Sequence, residues 1–264
     1  ELFQAGKPEL AEIEFKRANE IAPWHKLPLF MLVYALVHQD KIIQANEIIE
    51  ELLDDSPLDS FAIFLQAHIK FYLQEFEEAL QLYNKALYRR FWIANPYIER
   101  AWILINIKED FEKAKKDIEK IKSLDAENLA IYELDTSIAF YEQDNDKVIT
   151  LSNKGLEIDP NNEVLLLLRG NYHVQAENYE SAKDDYTKIL TVNPLNIDAQ
   201  YGLALTHLGK KELDKAVDLF TKVIEIDPKN YLAWTFRGRC LVFLEQYDEA
   251  IKSCTKAIEI ESND

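Results

Sequence analysis

The chain has 264 residues, 48% of them hydrophobic, which suffices for a sizeable buried core, while only 6 Gly and 8 Pro favour helices over a turn-rich fold. Its 30 Lys and Arg against 47 Asp and Glu leave a formal net charge of −17. That balance argues against nucleic acid, whose phosphate backbone wants clustered cations, and against an acidic membrane surface. No apolar run reaches 18 residues, so no membrane insertion is expected. The opening Glu1-Leu2-Phe3-Gln4 has neither the basic nor the apolar part of a secretory leader, and a cytoplasmic location is favoured. Cys240 and Cys254 are too few for a disulfide framework and read as buried reduced thiols. The acidity itself has two readings: a well-solvated surface, or selection of basic partners.

A single period runs through the chain. A small residue recurs at Ala11, Ala45, Ala79, Ala114, Val148, Ala182, Ala216 and Ala250, in steps of 34 residues with one step of 35. A bulky residue stands three positions earlier at Ile42, Phe76, Phe111, Tyr179, Leu213 and Tyr247, and Pro23, Pro57, Pro160, Pro194 and Pro228 keep the same beat. In chain order, residues 1–25 read as the second helix of a partial unit, with Ala11, Phe15, Ala18 and Pro23 in place. Helix hairpins follow at 26–59, at 60–94 with the one inserted residue, and at 95–128, 129–162, 163–196, 197–230 and 231–264. In the last unit Trp234, Gly238 and Leu241 share one face of a first helix, and Ala250, Cys254, Ala257 and Ile258 form the inward stripe of a second. Asp248 is the expected N-cap of that second helix. Short side chains such as Gly238 and Ala250 let two helices approach closely. Asp159-Pro160-Asn161-Asn162 and Asp227-Pro228-Lys229-Asn230 stop one hairpin and cap the next. A lone hairpin cannot bury its apolar face, so the units are expected to stack.

This pattern resembles the tetratricopeptide repeat. The copy at 231–264 carries it through Trp234, Gly238, Tyr247, Ala250 and Ala257. The copy at 163–196 does so through Gly170, Tyr179, Ala182, Tyr186 and Pro194, and that at 197–230 through Leu203, Ala204, Ala216, Phe220 and Pro228. Copies 26–59, 60–94, 95–128 and 129–162 are more degenerate, and in the last Val148 and Gly155 stand where the family has alanines. The resemblance implies an all-α fold, a right-handed α-solenoid of stacked antiparallel helix hairpins. It also implies a non-catalytic module that binds a protein or peptide, with an apolar or basic segment, in a concave groove lined by the first helices. The family's groove positions fall on Phe30, Tyr34, His38, Phe64, His68, Tyr72, Arg100, Ile103, Tyr141, Asn171, Tyr201 and Arg239.

Two readings of these side chains stand together: packing between adjacent repeats, or an open groove in which Arg100, Asn171 and Arg239 fix the polar atoms of a bound segment. The family's carboxylate clamp pairs Lys with Asn, but Asn171 is accompanied by Leu167, so that specialisation is not expected. Arg89, Arg90 and Trp92 form a basic and aromatic island, either a loop tucked on neighbouring helices or an edge contact for a partner. His173 and His207 share one repeat position and read as core residues rather than metal ligands. No phosphate-binding loop, zinc-protease motif or nucleophile elbow occurs, so no catalytic residue, metal or cofactor is assigned. Ser262-Asn263-Asp264 bring no extra polar helix to cover a last apolar face. A piece of a longer protein, or a chain that self-associates through uncovered solenoid ends, is therefore expected. The alternatives to a binding module are that self-assembling scaffold or an accessory domain of a larger enzyme.

Overall fold

The computed structural model describes residues 8–22, 26–88 and 92–262. These residues form α-helices and, among them, no strand. The chain divides into two compact units, Glu1–Asn128 and Leu129–Asp264. The first holds α1 (Pro8–Ile21), α2 (Lys26–Val37), α3 (Ile42–Asp55), α4 (Ser60–Tyr72), α5 (Phe76–Ala86), α6 (Asn95–Asn106) and α7 (Phe111–Leu124). The second holds α8 (Leu129–Tyr141), α9 (Asn145–Ile158), α10 (Glu163–Gln175), α11 (Tyr179–Val192), α12 (Ile197–Gly209), α13 (Leu213–Ile226), α14 (Tyr231–Phe243) and α15 (Tyr247–Glu261). In the first unit α2–α3, α4–α5 and α6–α7 pair as hairpins, α1 lies on α2, and α4 packs on α2 and α6. In the second α8–α9, α10–α11, α12–α13 and α14–α15 pair, and α10 packs on both α8 and α12.

Helix ends are specified locally. Four of the first helices, α4, α10, α12 and α14, start at side-chain caps: Asp59 accepts from the Phe61 and Ala62 amides, and Asn162, Asn196 and Asn230 accept from Leu165, Ala199 and Ala233. Asp248 does not cap α15. The helix starts one residue earlier, after Gln246, and Asp248 lies in its first turn, where a carboxylate faces the positive end of the helix dipole. Each intra-hairpin turn passes through one left-handed residue, at Asp40, Gln74, Glu109, Gln143, Glu177, Lys211 and Glu245. The next amide then reaches five residues back, as Glu75 to the Lys70 carbonyl and Glu212 to that of His207, which closes the orphaned carbonyls of the first helix. The α6–α7 turn differs, because Asp110 reaches six residues back, to Leu104. The extra residue of the 35-residue step is therefore taken up between α6 and α7. The small residues of the first helices show the same offset, stepping by 34 from Ala67 to Ala101 and by 35 from Ala101 to Thr136.

The periodic small residues are the points of closest packing: Ala11, Ala45, Ala79, Ala114, Val148, Ala182 and Ala216 are all fully buried. In the first unit Phe64, Leu65, Tyr83, Ile103 and Ile118 fill the interior between them. In the second, Tyr186 of α11 is seated between two glycines. A Cβ at Gly170 of α10 would lie 2.8 Å from its ring, and one at Gly202 of α12 would lie 2.4 Å away. Cys240 is buried and Cys254 half-buried, both as free thiols.

Candidate functional site

The first helices of the N-terminal unit, α2, α4 and α6, present one side to a cleft of ≈ 750 Å³. Tyr34 and His38 come from α2, His68, Phe71 and Tyr72 from α4, and Asn95, Ile98, Glu99 and Trp102 from α6, with Gln74 and Phe76 also in the lining. The walls are mostly rings. Tyr34 lies parallel to His68, with centroids 4.7 Å apart and planes at 17°, and its ring also meets His38 at 4.5 Å. Trp102 stands edge-on to Phe71 at 5.4 Å and leans on Phe76 at 5.6 Å. Such tilted and offset contacts fix ring orientation beyond simple area burial.

One carboxylate sits among these rings. Glu99 accepts from His68 Nδ1 at 3.0 Å and from the Tyr83 hydroxyl, and only 12% of its side chain is exposed. The carboxylate can only accept, so His68 Nδ1 carries the proton and in the neutral ring Nε2 is left with a lone pair. That Nε2 is buried and has no hydrogen-bond partner. Burial, followed by the Glu99 charge, raises the Tyr34 hydroxyl, and the same causes push Tyr83 well above its ordinary range. Burial and the neighbouring His68 lower His38, which keeps its ring neutral at neutral pH.

The structure separates the residues named from the family's groove positions. Tyr34, His38, His68 and Tyr72 line the cleft. Phe30 and Phe64 do not: they pack on one another at 5.3 Å beneath it, at 4% and 0% exposure. They belong to the packing between repeats, and no partner can touch Phe64. Ile103 is likewise fully buried.

Arg100 turns away from the groove as well. Its Nε and Nη2 donate to both oxygens of Asp117 at 2.8 and 2.5 Å, and Nη1 donates to Asn84 at 2.9 Å, so it ties α6 to its own partner helix and to the preceding one. Both errors have one cause. The inserted residue lies after α6 rather than before it, so positions counted from 95 land about 100° around the helix from the cleft. The side chains that do face it are Ile98, Glu99 and Trp102. The unequal steps of the small residues in first and second helices carried that information.

The arginine tie recurs in the second unit. Arg169 donates to Asp185 at 2.9 and 2.6 Å and to Asn153 at 2.6 Å. At the equivalent place Arg237 donates to Thr221 at 3.0 Å and to Ser253 at 2.6 Å. Of the other named positions, Tyr141 and Arg239 are exposed on α8 and α14. Asn171 is occupied within the fold, accepting from the Tyr186 hydroxyl at 2.7 Å. Tyr201 is half-buried against Phe220 and Phe236, and burial pushes its hydroxyl up to about 12. His207 sits against the Glu212 carboxylate at 2.8 Å, and His173 is half-buried with its ring nitrogen Nδ1 enclosed. Arg89 and Arg90 lie outside the described residues; Trp92 is 55% exposed. Among the described residues no three His, Cys, Asp or Glu side chains gather as a metal cage, and no helix is long and apolar enough to cross a membrane.

Antiparallel helix hairpins stacked at a fixed beat, with small residues at every close approach, define an α-solenoid built from helical repeats. The tetratricopeptide repeat family matches residues 167–231 and again residues 207–264. Among solved structures, the APC/C hetero-tetramer Cut9–Hcn1 aligns with 96% of this chain at a TM-score of 0.84 and 13% identity, and the alignment covers 50% of that chain. A tetratricopeptide repeat protein from Parabacteroides merdae ATCC 43184 aligns over 95% of this chain and 94% of its own, at 0.62 and 17%. MamA from Desulfovibrio magneticus RS-1 aligns over 64% of this chain and 96% of its own, at 0.55 and 18%. No curated protein sequence matches. At such identities the likeness is one of fold. Residues 167–264 carry tetratricopeptide repeats, and the fold of the whole chain is that of a tetratricopeptide-repeat solenoid. Proteins of this class serve in general as protein-interaction or scaffold modules rather than catalysts.

Proposed function

We propose that the chain is a non-catalytic binding module that holds a peptide segment of a partner protein in the cleft of its N-terminal unit. The observation behind this reading is the cleft itself. Three successive first helices leave Tyr72 and Trp102 at 38% and 39% exposure around a buried carboxylate, whereas the ring residues beneath them are enclosed. Aromatic walls around a few convergent polar groups are what peptide-recognition grooves use: large contact area at little entropic expense, with orientation set by the polar groups. The test is to pan a displayed random-peptide library on the immobilised chain. Each binder is then re-measured on a Tyr72→Ala/Trp102→Ala variant whose helicity by circular dichroism is unchanged. Binders lost from the variant support the reading, and a panel of binders held equally by both proteins overturns it.

A second reading is a scaffold that assembles through the free side of α15. Tyr247, Ile251 and Ile258 are exposed there at 58%, 64% and 65%. Placing a charge in that face, Ile258→Glu, would lower a self-association measured by sedimentation while leaving peptide capture intact.

A further inference from the structure

We propose that the residue this cleft is built to take is an arginine side chain of the bound segment, an inference that rests on the cleft being the peptide site. The most enclosed polar lining residues are Glu99 and His68, and the Glu99 carboxylate can only accept. Only 12% of the Glu99 side chain is exposed, and His68, 5% exposed, turns Nδ1 to that carboxylate and leaves Nε2 enclosed without a hydrogen-bond partner. A guanidinium supplies the complement: five N–H donors, no acceptor and a permanent positive charge.

The walls favour the same group. Phe71, Tyr72 and Trp102 present π systems whose negative faces attract cations, and a planar guanidinium also stacks on them. Entry into a half-enclosed cleft strips water from the ligand, and guanidinium is less strongly hydrated than ammonium, so arginine is preferred to lysine. The neighbouring lysines are engaged elsewhere: Lys70 with Glu75 and Glu78, and Lys108 with Glu77. The formal charge of −17 steers basic segments toward the chain at long range.

The experiment takes the cleft-dependent peptides from the library selection above and remakes each with its arginine replaced by citrulline, which keeps the shape and removes the charge, and by lysine. Affinities are measured by fluorescence anisotropy against the wild type, Glu99→Gln and Trp102→Leu. The expected result is arginine in every cleft-dependent peptide. The citrulline form should be weaker by about tenfold or more, and the lysine form should fall between. Glu99→Gln should weaken the arginine peptide by a similar factor while leaving the citrulline peptide nearly unchanged, the non-additivity that a direct contact requires. Trp102→Leu keeps the Glu99 cluster intact and should weaken the arginine peptide more than the citrulline one. Cleft-dependent peptides without arginine, equal binding of arginine and citrulline forms, or lysine forms that bind as well would each overturn the arginine assignment and leave the peptide site standing. Failure to recover any cleft-dependent peptide would overturn both.

Discussion

Arg100 of α6 forks onto Asp117 of α7, donating from two nitrogens to the two carboxylate oxygens at 2.8 and 2.5 Å. Arg169 and Asp185 repeat the geometry two hairpins later at 2.9 and 2.6 Å. The Asp117 side chain is 5% exposed, and burial raises its carboxyl above the ordinary value although Arg100 pulls the other way. The charge is therefore tolerated because of its partner.

Removing that partner leaves a buried carboxylate uncompensated. Arg100→Ala should destabilise the protein by about 3 kcal/mol, read as a lower urea midpoint. A well-packed apolar pair can replace a buried ion pair at little loss. The chain itself uses Leu203 and Leu219 at the equivalent positions of α12 and α13. Arg100→Leu with Asp117→Leu should accordingly recover most of the stability that the single change removes. A double variant no better than Arg100→Ala would show that the tie does more than fill the interface.

Gly202 and Tyr186 are a second coupled pair. Alanine improves helix propensity by up to about 1 kcal/mol over glycine. Here its Cβ would lie 2.4 Å from the ring of a fully buried tyrosine, one anchored through its hydroxyl to Asn171. Overpacking of this kind costs about 1–3 kcal/mol, so the clash outweighs the propensity and Gly202→Ala should lower the thermal midpoint. Tyr186→Leu in the same background should relieve part of the loss.

Glu12 of α1 gives the first unit an acid-sensitive contact. Hydrogen bonds from Lys16 at 2.6 Å and Lys41 at 2.7 Å lower its carboxyl from 4.5 to about 2. A carboxylate depressed by folding contributes stability that is present above its unfolded value and lost as pH falls through the folded one. The contribution should thus be complete near neutrality and decline between about pH 4.5 and 2. Glu12→Gln should lower stability at pH 7 and have little effect at pH 2, measured by denaturant titration at each pH.

The turn residue Glu245 holds φ at 61°, a conformation that a side chain disfavours by about 1–2 kcal/mol. Glycine adopts it freely, at some entropic loss in the unfolded chain. Glu245→Gly should therefore raise stability by up to about 1 kcal/mol, whereas the same change one residue on, Gln246→Gly, should not.

Most of the fold was legible because it is local and periodic. Asp-Pro-Asn-Asn and its relatives announced where hairpins stop, and Asn162 and Asn230 do cap the helices that follow. The beat of small residues marked the places of closest approach, and those residues are buried, at 0% exposure except Ala250 at 3%. The site was legible only in part. Tyr34, His38, His68 and Tyr72 face the cleft as their repeat positions imply, while Phe64 shares the same face yet is sealed beneath the rings. A stripe pattern says which way a side chain points but not what lies over it. Nothing in the pattern announced that Glu99, His68 and Tyr83, from three helices, would converge on one carboxylate.

By itself the sequence determined that the chain is a stack of helix hairpins and which small residues make the contacts, because caps, turns and a 34-residue beat are written in neighbouring residues. The tertiary structure decided what the cleft contains. One inserted residue falls between α6 and α7, and a shift of one position turns a helical side chain by about 100°. That rotation places Trp102 and Glu99 in the cleft and Arg100 in the interior, an outcome settled by which face of α6 packs against its neighbours.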